Sequence, residues 1–222
     1  MIPRGKVECA MRGEGEAAVA TLLRFVWQTL RRADSGVPDA AGWCSLLPAA
    51  VPLIAKRPQP GAALPVSRWW PRAEQSALPA LRPALAALAP HLVWTRNPNY
   101  RARPPHHRFL HRYGYAVILG PGDRQARPLL RHDGLALGLL LLGPGNDYPL
   151  HHHPAEEIYV PLAGTALWLR GDGPWRPIAP GRPIHHPPDL PHATRTRATP
   201  LLALYLWRGA LATHARLSPA DR

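Results

Sequence analysis

Cysteine is nearly absent: Cys9 and Cys44 are the only two in 222 residues. Two are too few for a disulfide framework or a Cys-rich zinc site, so a reduced, cytoplasmic compartment is expected. Long hydrophobic runs are missing too. The most apolar stretch, Leu135 to Leu142, is far shorter than the roughly 20 residues a membrane helix needs. Met1 to Ala20 carries Arg4, Lys6, Glu8, Arg12, Glu14 and Glu16 with no apolar core, which reads against a signal peptide. Lysine is scarce, with Lys6 and Lys56 alone, so the formal charge of +13 rests on arginine. The arginines fall singly or in pairs (Arg31-Arg32, Arg101 and Arg103, Arg195 and Arg197), never in an extended run. No helix-turn-helix, zinc-finger or aromatic RNA-binding signature accompanies them. No specific nucleic-acid partner and no membrane partner is expected; an anionic small molecule makes better use of the positive field.

Proline and glycine are abundant, at 29 and 18 residues, and 46% of the chain is hydrophobic. That balance permits a sizeable core and favours short strands with tight turns over a helical bundle. The first third nevertheless reads helical. Val19, Leu22, Leu23, Val26, Trp27 and Leu30 recur at three- and four-residue steps between Glu16 and Arg32, and Asp34-Ser35-Gly36 supplies a stop. After the Pro- and Ala-rich passage Val37 to Ser67, with a short helix expected around Trp43 to Leu47, a second helix is expected over Ala73 to Leu92. Pro79, Pro83 and Pro90 must break or kink it. Beyond Leu92 short apolar runs alternate with Gly and Pro: Tyr113 to Leu119, Gly134 to Leu142, Glu157 to Leu162, Thr165 to Arg170 and Leu201 to Trp207. This rhythm predicts an antiparallel sandwich or barrel. Trp69-Trp70, just before the second helix, are placed to pack onto the barrel. The expected division is residues 1–92 as a helical cap that shapes a pocket, and residues 93–222 as a β-barrel.

The chemistry concentrates between Gly145 and Gly164. In an extended strand His151 and His153 share one face while His152 points away. Glu157 comes after the Pro154-Ala155 bend, with Tyr159 two residues on and on its face. Two imidazoles and a carboxylate aimed at one point make a good N/O site for zinc, iron, manganese or nickel, with positions left for water or substrate.

Gly145, five residues, His151-x-His153, three residues, Glu157, six residues, Gly164 is the first motif of the cupins, matched at every fixed position. The second motif is looser: Pro187 to His192 has Asp189 where Gly is usual, and Arg195 stands in place of Asn. The resemblance implies a mainly β fold, a cupin double-stranded β-helix (jelly-roll barrel), holding one divalent metal ion through His151, His153, Glu157 and His192, and it allows a homodimer. Tyr148-x-x-His-His-His-x-x-Glu-Glu-x-Tyr159, Asn97-Pro98-Asn99-Tyr100, Tyr113-Gly114-Tyr115 and Trp207 further resemble the cupin dimethylsulfoniopropionate lyases, over roughly half of the chain. That resemblance implies His153, Glu157, Tyr159 and His192 as ligands, with His151 as an alternative or addition. It also implies a carbon–sulfur lyase reaction releasing dimethyl sulfide and acrylate. Tyr148 and Tyr159 are then the candidate bases, and Trp207, Tyr113 or Trp168 the aromatic wall for a sulfonium. Strand tyrosines and tryptophans usually pack, so a plain core role is the alternative for each. His106-His107, His152 and His185-His186 read as surface or supporting residues, with His185 the one that strand alternation could bring near the metal. Rival activities for the same site are a cupin dioxygenase or isomerase, or a metal- or ligand-binding protein without turnover.

Overall fold

The computed structural model describes residues 4–51, 63–122 and 127–218, with side chains from Gly13 onward. Lys56 and the centre of the Val37–Ser67 passage lie outside the described residues, as do the side chains of Lys6 and Cys9.

Among the described residues four α-helices come first in the chain, α1 (Arg4–Leu30), α2 (Ala40–Ser45), α3 (Trp70–Gln75) and α4 (Arg82–Leu88), and a fifth, α5 (Pro98–Ala102), follows the first strand. Val19, Leu22, Leu23, Val26 and Leu30 of α1 are buried, but Trp27 is 46% exposed under the Arg31 guanidinium, so it does not belong to the buried stripe. The Asp39 carboxylate accepts the Gly42 N–H and caps α2. The single helix expected over Ala73 to Leu92 is instead a series of short pieces: α3, a 3-10 turn at Pro79–Leu81, α4 and another turn at Ala89–His91. Each proline opens a new piece, because a residue with fixed φ and no N–H is tolerated only in a first turn.

The strands are β1 (Trp94–Thr95), β2 (Tyr113–Gly120), β3 (Leu130–Arg131), β4 (Ala136–Leu142), β5 (Asp147–His152) and β6 (Glu156–Ala163). They continue as β7 (Ala166–Arg170), β8 (Arg176–Ile178), β9 (Ile184–His186), β10 (His192–Thr196), β11 (Leu201–Arg208) and β12 (Arg216–Leu217). One sheet runs β1-β2-β4-β11-β6-β9 with β3 beside β2; the other runs β12-β5-β10-β7-β8. From β4 onward the chain crosses repeatedly from one sheet to the other, the winding of a cupin double-stranded β-helix. The two ladders face each other and are not hydrogen-bonded into one closed barrel among the described residues.

The first sheet is buried on both faces, which explains its continuous apolar runs. Leu202, Leu204 and Leu206 of β11 point outward, with Leu137, Leu139, Ile158 and Val160, into a core shared with α1, α3 and α4. Leu201, Ala203 and Tyr205 alternate inward, into the space between the sheets. Trp70 joins the helix-side core, its ring 5.8 Å from Trp94. The helices therefore brace the sheet from outside, and among the described residues none before Asn97 lines the cavity between the sheets.

Gly164, the last fixed residue of the first motif, turns β6 into β7 at φ +83°, and a Cβ there would lie 2.0 Å from the Pro200 carbonyl oxygen. Gly164→Ala should destabilise the protein by at least the roughly 1–3 kcal/mol of backbone strain. Gly13→Ala, in α1 with open space around it, should stabilise by about 0.5–1 kcal/mol. Chemical denaturation of both variants checks the opposite signs.

Candidate active site

Cross-strand register assembles the site. His192 on β10 pairs with His151 on β5, while Glu157 on β6 lies between Trp207 on β11 and His186 on β9. His153 comes directly after β5. His151, His153, Glu157, His186 and His192 are all at most 2% exposed.

The backbone fixes the tautomers. Nδ1 of His151, His153 and His192 lies 2.8, 2.9 and 2.8 Å from the carbonyl oxygens of Pro149, Ala155 and Leu190. A carbonyl only accepts, so each Nδ1 carries a hydrogen and each ring turns its Nε2 to the site. Nε2 of His153 and Nε2 of His192 both sit 3.1 Å from Glu157 Oε2. Two imidazole nitrogens this close to one carboxylate oxygen are favourable with a cation between them, a proton or a metal ion. For His192 that contact lacks hydrogen-bond geometry, leaving its buried Nε2 without a hydrogen-bond partner. The ligand atoms of His153, Glu157 and His192 all lie within 4.8 Å of one another. This donor set fits a divalent metal ion. His151 stands outside that trio, its ring centroid 4.1 Å from that of His192. Burial, then the neighbouring His192, push its pKa well below 6.5, so the ring stays a neutral donor.

Glu157 collects further partners. Trp207 donates its indole N–H to Oε1 and stacks on His153 at 4.0 Å. Tyr159 donates its hydroxyl to the same carboxylate. Burial alone would raise the Glu157 pKa, but the facing His153, His186 and His192 hold it well below 4.5.

A cavity of about 370 Å³ opens beside the cluster, lined by Tyr113, Tyr115, Tyr148, Tyr159, Tyr205 and Trp207 together with Glu157, Asn97 and residues of the 211–215 segment. The Tyr148 hydroxyl donates to that of Tyr100 at 3.2 Å, and its ring lies flat on His151, 3.9 Å away. Burial is the first cause raising the pKa of Tyr148, Tyr159 and Tyr113 well above 10.

Tyr113, Tyr148, Tyr159, Glu157 and Trp207 thus meet at one cavity, with His151, His153 and His192 around the carboxylate. Trp168 does not line it; it packs behind Tyr159 with ring centroids 5.1 Å apart. His152 points away and contacts Ser218. Of the 185–186 pair, His185 faces the outside, 2.7 Å from Glu156, and His186 is the residue beside the His153–Glu157–His192 group, so the expectation for His185 is reversed. The signal was present in Ile184, the buried apolar residue that opens β9 and shares its face with His186. Tyr115 and Tyr205 have no role assigned from the sequence, yet they line the cavity, their inward phase reflecting the sheet's two buried faces; Tyr100, on α5, joins the site through the Tyr148 hydroxyl.

Two outcomes are expected from the tautomers. Purified protein should carry close to one equivalent of metal by elemental analysis; His153→Ala and Glu157→Ala should each lose most of it, and His152→Ala should keep it. Metal-free protein should also lose stability in mild acid. His186 is lowered from 6.5 to about 3, chiefly by burial, and His151 is lowered too. The unfolded chain therefore takes up protons that the fold refuses as pH falls from about 6.5 towards 3, at about 1.4 kcal/mol per pH unit for each such ring. Glu157, also lowered, adds loss below its ordinary 4.5. Urea midpoints measured across that range, falling with pH, check the sign.

The sequence profile of the dimethylsulfoniopropionate (DMSP) lyase family matches residues 48–203. Dimethylsulfoniopropionate lyase DddQ of Ruegeria pomeroyi is 43% identical over 105 residues, which cover 47% of this chain and 50% of that protein, so the match spans about half the length of this curated relative. A structure described among the DMSP lyases RdDddP and RnDddQII is 31% identical with a TM-score of 0.67, covering 92% of this chain and 99% of its own. The crystal structure of DddQ from Ruegeria pomeroyi DSS-3 is 30% identical with a TM-score of 0.63, over 89% and 98% of the two chains. Sequence and fold agree, and the chain belongs to the DMSP lyase family.

Proposed function

We propose that this protein is a metal-dependent lyase that cleaves dimethylsulfoniopropionate to dimethyl sulfide and acrylate by β-elimination. The observation that carries this reading is the buried His153–Glu157–His192 cluster opening on a cavity walled by tyrosines. One zinc, iron, manganese or nickel ion held by these residues, with His151 beside them, would polarise the substrate carboxylate and lower the pKa of an adjacent phenol.

The residues divide the remaining work. The substrate needs a base at the carbon next to its carboxylate and a wall for its dimethylsulfonium. Tyr159 is the tyrosine whose hydroxyl touches Glu157, so a cation held there acts on it first. As phenolate it takes the α-proton; the C–H electron pair becomes the new C=C bond, and the C–S bond breaks with its pair leaving on sulfur. Tyr148 keeps His151 flat against its ring and passes a hydrogen bond to Tyr100. Tyr113, Tyr115, Tyr205 and Trp207 present π faces and edges that suit a sulfonium and its methyl groups. The cavity volume is at the low end for small-molecule sites, as a substrate this small requires.

Metal-loaded protein should release dimethyl sulfide and acrylate in equal amounts, without oxygen uptake, as read by gas chromatography and an oxygen electrode. Tyr159→Phe should lower turnover by at least about a hundredfold and weaken metal retention. Tyr148→Phe should lower turnover with metal content unchanged. Wild-type rates in both would leave the elimination without a base.

A further inference from the structure

We propose that His186 is a positioning residue: with Trp207 it clamps the Glu157 carboxylate, one donor on each oxygen, so that the metal ligand is set before the ion arrives. This inference rests on the metal reading of the site and concerns a histidine outside the ligand trio.

His186 is fully buried and lies directly across the β6–β9 ladder from Glu157. Its Nδ1 is 3.4 Å from Glu157 Oε2, and since its Nε2 faces no acceptor the ring's hydrogen belongs on Nδ1. Trp207, across the other ladder, donates to Oε1. The carboxylate is therefore held from both neighbouring strands, which leaves its plane no free rotation. The ring of His186 also stacks on His192, centroids 4.0 Å apart at 12°, and so supports a second ligand. Its Nε2 is buried without a partner. An unsatisfied buried nitrogen costs stability, and a plain core position would be better served by a phenyl or aliphatic side chain. The one polar task the ring performs is on Glu157.

The test is zinc affinity, measured by competition with a chromophoric chelator, beside denaturant stability of the metal-free proteins. His186→Phe keeps a ring on His192 and removes the donor; His186→Asn returns an N–H near the Nδ1 position without the stack. Zinc affinity should fall about ten- to a hundredfold in His186→Phe, the range for loss of a group that orients a ligand, with metal-free stability at neutral pH no lower than wild type. His186→Asn should recover most of the loss. His186→Met gives the donor-free reading should the phenyl ring not be accommodated. Unchanged zinc affinity in the donor-free variants, or no recovery with Asn, overturns the clamp alone. A wild-type protein that binds no zinc overturns the metal reading together with it.

Discussion

A carboxylate sealed from water and faced by two imidazole nitrogens is the constraint on which the rest of this structure depends. Glu157 has no solvent exposure, and Nε2 of both His153 and His192 meets the same oxygen. Burying an anion is expensive unless it is paired. Here the backbone carbonyls beside Nδ1 turn both Nε2 atoms towards the anion, an arrangement that a cation between them, a proton or a metal ion, makes favourable. Trp207 and Tyr159 supply two uncharged donors, which hold the carboxylate without neutralising it.

The fold provides the rigidity that such a site needs. Glu157 sits in a strand hydrogen-bonded on both sides, and that sheet is packed on its outer face by α1, α3 and α4. The adjacent residues fasten the same three strands on the outside. Arg208 reaches Glu156 at 2.6 Å and Asp39 at 2.7 Å, His185 reaches the other Glu156 oxygen, and the guanidinium lies over the Trp43 ring. Alternation along β6, β9 and β11 thus puts an ionic network on one face and the ligand cluster on the other. The tie to Asp39 and Trp43 joins the helical region to the strands of the site without placing a helix in the cavity.

Much of this was legible in the sequence, and the gaps have physical causes. The first cupin motif carried the fold and the placement of His151, His153 and Glu157 near one point, because motif spacing encodes strand alternation and a turn. Helix stripes in α1 were readable by period, yet Trp27 fell outside, since an aromatic at the edge of a stripe can lie under an arginine as readily as in the core. The prolines between Ala73 and Leu92 announced breaks, though not that each would start a new turn. His186 was missed because only one apolar residue, Ile184, marks the inner face of a strand of three residues. Trp168 was misplaced for a related reason: inward-facing residues of two sheets share one core, and sequence does not say which of them reach the cavity.

Anomalous scattering from a crystal soaked in zinc, measured at the zinc edge, tests the central claim most directly. One strong peak is expected at coordination distance, about 2.0–2.2 Å, from Nε2 of His153, Nε2 of His192 and a carboxylate oxygen of Glu157. A peak at another histidine cluster, such as His106-His107, or no peak between these three side chains, would contradict a metal centre at Glu157.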